Sequence, residues 1–190
     1  MSHYSLDKFV RETRAVISGN YEPSVNVEKI VPLMFKLLSG DKSFLKPEHF
    51  QNHPDHYARN AIFVDDAGLM SLYALVWQPG QWTPIHDHGT WGVVGVHEGV
   101  LEECSFVRSG SQSGAELDNI DLLRGGVILL PPDSVTSFVP NPDHIHLTGN
   151  PSLDKRVVSL HLYGNAMAGF HVYDQTSRSR KWVEVSHNES

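Results

Sequence analysis

The sequence predicts a mostly-β fold: an antiparallel β-barrel, closed or built as a double-sheet jelly roll, with an N-terminal helical cap. Three observations carry this expectation. Apolar stripes of helical period are confined to residues 1–50, short β-type runs replace them from about residue 57, and turn-forming clusters separate those runs.

Leu6, Phe9, Val10 and Val16-Ile17 keep close to a period of about 3.6 residues, with Ser5 placed to cap the helix. Ile30, Leu33, Met34, Leu37 and Leu38 form a second stripe, ended by Ser39-Gly40. Pro32 falls inside it, so this helix is expected to begin near Pro32 or to kink there. Pro47-Glu-His-Phe50 is expected to open a third, short helix. The β-type runs are Ala61–Val64, Met70–Trp77, Gly92–Val96, Gly126–Leu130 and Arg156–Tyr163, with turns such as Asp65-Asp-Ala-Gly68 and Gln78-Pro-Gly80 between them. The polar stretch Ser109–Gly114 reads as an exposed loop, and Arg178-Ser-Arg180-Lys181 as a short solvated turn. No internal repeat or low-complexity linker divides the chain, so residues 1–190 are expected to form one domain, with the barrel spanning 55–175.

At 190 residues and 21.2 kDa the chain can bury a full core. A hydrophobic content of 40% and a charged content of 19% are ordinary for a globular protein. The net charge of −7 and the lack of a basic face argue against nucleic acid as a partner. The single cysteine, Cys104, rules out an internal disulfide and fits a reducing compartment. No apolar run resembles a signal peptide or a membrane span, so a cytoplasmic location is expected.

Twelve histidines are the outstanding feature. In His86-Asp87-His88 the two imidazoles lie two residues apart, and on an extended strand both reach the same face and one ion. The surrounding pattern, Gly80-x5-His86-x-His88-x3-Gly92-x6-Gly99, resembles the first motif of the cupin superfamily, with Gly92 where a glutamate usually stands. Gly126-x5-Pro132 followed by His146-x3-Asn150 resembles the second motif, with Ser134 where glycine is preferred. The resemblance implies a small cupin-type barrel with a metal inside. His146 is the expected third ligand, favoured over His144, which would share its face. His3, His49, His53, His56, His97, His171 and His187 are expected at the surface or in hydrogen bonds.

Three imidazoles without a carboxylate leave a bound cation more positive than the familiar two-histidine, one-carboxylate iron site. An anionic thiolate could supply the missing charge, because a coordinated thiol loses its proton readily. Zinc on three histidines is the competing reading. Ser159, His161 and Tyr163 alternate with Leu160 and Leu162, so the polar three share one face of a strand; directed into a barrel, they must satisfy one another. Arg59, with Tyr57 on the same face, could hold a substrate carboxylate through paired hydrogen bonds. Trp82, Trp91, Met70 and Val94 read mainly as core.

Taken in order, Tyr57-x-Arg59-Asn60, Pro84-Ile-His86-Asp-His88, Trp91-Gly-Val-Val-Gly95, His146-x3-Asn150 and Ser159-x-His161-x-Tyr163 resemble the cysteine dioxygenase family of thiol dioxygenases, in its bacterial form. The resemblance implies Fe(II) on His86, His88 and His146, and a thiol and O2 as substrates that yield a sulfinate. It also implies Arg59 on the substrate carboxylate, with Ser159, His161 and Tyr163 as an outer-sphere triad. Animal members carry a cysteine crosslinked to the tyrosine; Gly92 stands at that position, so Tyr163 is expected as a free phenol. Mercaptopropionate dioxygenases typically have glutamine at the Arg59 position and an arginine after the tyrosine strand. Here no arginine lies between Tyr163 and Arg178, which leans towards L-cysteine, with 3-mercaptopropionate and mercaptosuccinate as alternatives. A non-catalytic metal-binding or sensory cupin is the reading of another class.

Overall fold

The computed structural model describes residues 4–109, 119–140, 144–165 and 167–184. Helix α1 spans Leu6–Ile17, with the Ser5 side chain accepting a hydrogen bond from the Lys8 N–H at 3.3 Å, the N-cap its position suggested. Helix α2 spans Pro23–Ser39. It begins nine residues before Pro32, with Pro23 in the first turn, where a missing N–H costs nothing. Pro32 is carried inside the helix rather than starting it. Residues Pro47–Phe50 make a single turn of 3-10 helix.

Among the described residues ten strands follow: β1 (Ala58–Val64), β2 (Ser71–Trp77), β3 (Gly92–Glu98), β4 (Leu101–Arg108), β5 (Leu122–Leu130), β6 (Val135–Phe138), β7 (Ile145–Gly149), β8 (Val157–Tyr163), β9 (Gly169–Asp174) and β10 (Ser179–Glu184). All pair antiparallel, in a five-stranded sheet β1-β2-β8-β3-β6, a three-stranded sheet β5-β4-β7 and the ribbon β10-β9. The reach from Ser109 to Gly114 lies, after Ser109, outside the described residues, as do His3 and His187. The basic run is a solvated turn only at its start: Arg178 lies in the turn and is exposed, but Arg180 and Lys181 belong to β10, and the Arg180 side chain is 7% exposed, 3.8 Å from Asp87.

Strands β2 and β8 are buried along their whole length because both faces of the five-stranded sheet are covered. Leu72 and Ala74 of β2 and Leu160 and Leu162 of β8 pack outward against Ile30, Met34, Leu37 and Leu38 of α2. Each such aliphatic side chain contributes roughly 1.5–3 kcal/mol on burial. The alternate residues Tyr73, Leu75 and Trp77 of β2 and Tyr163 of β8 face inward, with Leu101, Leu130 and Phe170 of the other strands. Gly95 permits the close seat of the helix: a Cβ there would lie 2.8 Å from Leu38 Cδ1 and 2.9 Å from Met34 Cγ. Met70 and Trp91 join the core beneath the helices and Val94 the barrel interior, while Trp82 is half-buried. Among the described residues no helix is long and apolar enough to cross a membrane.

Candidate metal centre and substrate cavity

Cross-strand register assembles the site. The segment around His86 belongs to no continuous strand; it is held by isolated bridges to β7 on one side and β9 on the other. His86 and His146 form a mutually hydrogen-bonded pair, each backbone N–H donating to the other's carbonyl at 2.9 Å. Their side chains therefore rise on the same side, and His88 follows two residues later. One ring nitrogen from each of His86, His88 and His146 comes within 4.8 Å of the others, an arrangement that could hold a metal ion, and all three side chains are buried. His144 is not part of this group: it pairs instead with Glu103 of β4.

The donor chemistry fits a cation. Burial drives the imidazoles of His86, His88 and His146 towards the neutral form, and their mutual repulsion adds to it for His86 and His88. His86 Nδ1 lies 3.0 Å from the Pro84 carbonyl, which can only accept, so Nδ1 carries the proton. His146 Nδ1 lies 3.3 Å from His144 Nε2 and 3.5 Å from a Glu103 carboxylate oxygen; with His144 Nε2 donating to the other Glu103 oxygen at 3.2 Å, a proton on His146 Nδ1 is the arrangement in which the carboxylate accepts from both rings. Both Nε2 atoms are then bare lone pairs, and they face each other at 3.2 Å. Two acceptors converging in a buried site repel unless a positive ion lies between them.

Gly92 explains the absence of a fourth, anionic ligand in steric terms. It pairs with Tyr163 on one side and Phe138 on the other. A Cβ at Gly92 would sit 2.3 Å from the Phe138 ring. That ring is stacked on His88 at 4.3 Å and on His144 at 5.0 Å, so an aromatic wall takes the room a carboxylate would need. Cys104 packs in a separate cluster with Phe106, Ile145 and Tyr173, apart from the cluster that holds Tyr163.

The cavity beside the three histidines is lined by Tyr57, Arg59, Leu75, Trp77, Thr83, Thr148, His161, Tyr163 and Phe170. Of the residues singled out in the sequence on β1 and β8, Arg59, His161 and Tyr163 line this cavity, while Ser159 lies behind His161. Arg59 is 6% exposed, and its Nε and Nη2 groups have no hydrogen-bond partner. Its guanidinium lies over the rings of Tyr73 at 4.9 Å and Tyr163 at 5.5 Å. Tyr57 stacks on Trp77 with ring centroids 4.4 Å apart.

Ser159, His161 and Tyr163 form a buried chain with a defined direction. Trp77 Nε1–H can only donate, and it does so to Ser159 Oγ at 2.9 Å. Ser159 Oγ lies 2.9 Å from His161 Nε2 and passes its own proton there. Burial, reinforced by the Arg59 charge, lowers the His161 pKa to about 3, so the ring is neutral and its remaining proton sits on Nδ1. Nδ1 is 3.3 Å from the Tyr163 oxygen. The phenol thus accepts from His161 and keeps its own proton for a group in the cavity; burial pushes its pKa up to about 12.

Trp77, Phe138, Glu103 and His144 shape the centre without having been singled out for those roles in the sequence. Two of them left a signal. An indole N–H at the end of a fully buried, largely apolar strand needs a partner, and Glu103 follows the inward Leu101 at an even spacing.

Similarity to known proteins agrees with this architecture. A protein with a double-stranded β-helix domain from Klebsiella pneumoniae superposes with a TM-score of 0.50 at 16% identity, covering 70% of this chain and 98% of its own. An RmlC-like cupin protein from Ralstonia eutropha gives a TM-score of 0.46 at 10% identity over 71% of each chain. The fold, as the first of these matches shows, is a double-stranded β-helix barrel of the cupin type, here with a helical cap. Residues 8–176 match the family described as cysteine dioxygenase type I, whose members are metal-dependent and act on thiols with O2. With the three-histidine centre inside a cupin barrel, the chain belongs to the cysteine dioxygenase type I family.

Proposed function

We propose that this protein is an Fe(II)-dependent thiol dioxygenase that adds both atoms of O2 to the sulfur of a small thiol carboxylic acid, giving a sulfinic acid. L-Cysteine is the favoured substrate, ahead of 3-mercaptopropionate and mercaptosuccinate. His86, His88 and His146 would hold the ion, which when bound supplies the Lewis acidity that deprotonates a thiol and the reducing power that engages O2.

The observation that carries the reading is Arg59. A buried guanidinium with two unpartnered N–H groups beside three converging histidines is matched to a carboxylate on a molecule whose other end meets the metal. The substrate is held at both ends, which fixes its sulfur relative to the centre. Tyr163, its oxygen fed a proton by His161, offers its own hydroxyl proton to a negatively charged atom formed in the cavity. Phe170 and Leu75 keep the sulfur end dry. Among the lining residues none is acidic, so a substrate ammonium finds no ion partner in the wall. Choice among cysteine and its analogues then rests on small packing differences, each worth ~1–3 kcal/mol.

The test is anaerobic reconstitution with Fe(II), followed by O2 uptake and product mass spectrometry with cysteine, 3-mercaptopropionate and mercaptosuccinate. The proposal expects one sulfinate per O2 consumed for at least one of them. Thiol binding without turnover would favour a sensory cupin instead, and zinc or manganese in the native protein with no thiol-dependent O2 uptake would favour another cupin reaction.

A further inference from the structure

The three-histidine set lacks an anionic ligand, yet a buried carboxylate stands one layer behind it. Glu103 lies on β4, whose register with β7 pairs Glu103 with Thr148 and Ser105 with His146. Glu103 is therefore diagonal to His146 on the same, inward face, the separation at which long side chains meet across strands. Its two oxygens are divided: Oε2 faces His146 Nδ1 at 3.5 Å, and Oε1 faces His144 Nε2 at 3.2 Å. The Glu103 side chain is 9% exposed and that of His144 is 24% exposed.

We propose that Glu103 is the positioning residue of the metal centre: it fixes His146 in the Nδ1–H tautomer and lends its ligating Nε2 negative character, with His144 holding the carboxylate in place. This rests on the reading of His86, His88 and His146 as metal ligands. An imidazole that donates to a carboxylate is a stronger base at its other nitrogen and cannot rotate away from the ion. The charge excluded from position 92 by the Phe138 ring thereby returns through His146, without occupying an open position on the metal. His86 has only the neutral Pro84 carbonyl at the corresponding nitrogen, so His146 is set apart as the strongest donor of the three. His144, which the sequence offered as a rival ligand, acts on the carboxylate instead.

Alternative placements fit less well. Glu103, His144 and His146 also converge within 4.8 Å and could in principle hold an ion themselves. There, however, the carboxylate already accepts from both rings, whose nitrogens His144 Nε2 and His146 Nδ1 lie 3.3 Å apart, whereas the two Nε2 atoms of His86 and His146 have no acceptor or donor between them.

The experiment measures binding of Co(II), a spectroscopic stand-in, to the metal-free full-length protein by competition with a chelator, together with the visible spectrum of the bound ion. Glu103→Gln keeps the shape and removes the charge; it is expected to weaken binding by about 10–100-fold and to shift the visible bands. His144→Ala is expected to weaken binding less. In the Glu103→Gln background it should add nothing further, because both changes act through the same contact. Tyr163→Phe should bind as the wild type does. The inference is overturned if Glu103→Gln binds within twofold of wild type with an unchanged spectrum, or if the two losses are additive. It is also overturned if wild type binds two equivalents, the second of them lost with His144. Should Glu103→Gln not fold, His144→Ala decides alone: a Co(II) affinity and spectrum equal to wild type would sink the inference. A wild type that binds no ion, or that binds as tightly after His86→Ala, removes the metal reading itself. Tight wild-type binding with an indifferent Glu103→Gln removes only this inference.

Discussion

Replacing Arg59 by Leu should leave the folded protein no less stable while removing most of its preference for an acidic thiol. In the protein alone, the buried guanidinium has two N–H groups without acceptors, each costing about 1–3 kcal/mol. Its contacts over Tyr73 and Tyr163 return about 0.5–2 kcal/mol each. The two ranges nearly cancel, so the urea midpoint should stay put or rise. Against a substrate carboxylate the same groups make two charge-assisted hydrogen bonds of about 1.5–3 kcal/mol each. At about 1.4 kcal/mol per factor of ten, their loss lowers kcat/KM by about a hundred- to ten-thousand-fold. The assay compares O2 uptake with the preferred thiol acid and with cysteamine, which has the thiol and amine but no carboxylate. The acid should lose the full factor and cysteamine almost none. An equal fall for both thiols, or a large loss of stability, would refute the role given to Arg59.

Three further outcomes follow from particular contacts. Tyr163→Phe should lower kcat by about 10²–10⁴-fold, the usual scale for a positioned proton donor, with Co(II) affinity unchanged; steady-state kinetics beside a metal titration checks it. Gly92→Ala should destabilise by about 1–3 kcal/mol in urea unfolding, because its Cβ meets a Phe138 ring already pinned by His88 and His144, and Phe138→Leu in the same chain should recover part of the loss. Asp65, hydrogen-bonded by Arg14 Nε at 2.9 Å, has its carboxyl pKa held below the ordinary value by that bond. A depressed folded pKa adds stability above the unfolded carboxyl pKa and loses it as pH falls through the folded one, so wild type should lose stability on acidification more steeply than Asp65→Asn in paired urea titrations.

What could be read from the residues divides along physical lines. The inward row Ser159-His161-Tyr163 was legible because a strand has period two, and the His86/His88 pair for the same reason. That Leu160 and Leu162 are equally buried was not, since it depends on α2 folding back over the sheet from 120 or so residues away. A proline inside an apolar stripe reads as a helix start or a kink, but the helix begins at Pro23, the residue suited to a first turn, and carries Pro32 inside it. Arg180 looked solvated within a basic run, but β9-β10 pairing turns it towards Asp87, the residue between the two histidines. Glu103 could not be matched to His146 from the sequence: the pair meets only through the β4–β7 register, across intervening strands. The aromatic wall at Phe138 was hidden likewise, although Gly92 marked the space that it fills.

The central claim, that the protein places both atoms of O2 on the sulfur of a small thiol acid, is tested most directly by one turnover experiment. The Fe(II)-reconstituted protein is given its preferred thiol under ¹⁸O2 in ordinary water, and the product is weighed by mass spectrometry. The account predicts a sulfinate in which both new oxygens carry the label. A product with one labelled oxygen, a disulfide, or no thiol-dependent O2 uptake with any of the three thiol acids would contradict it.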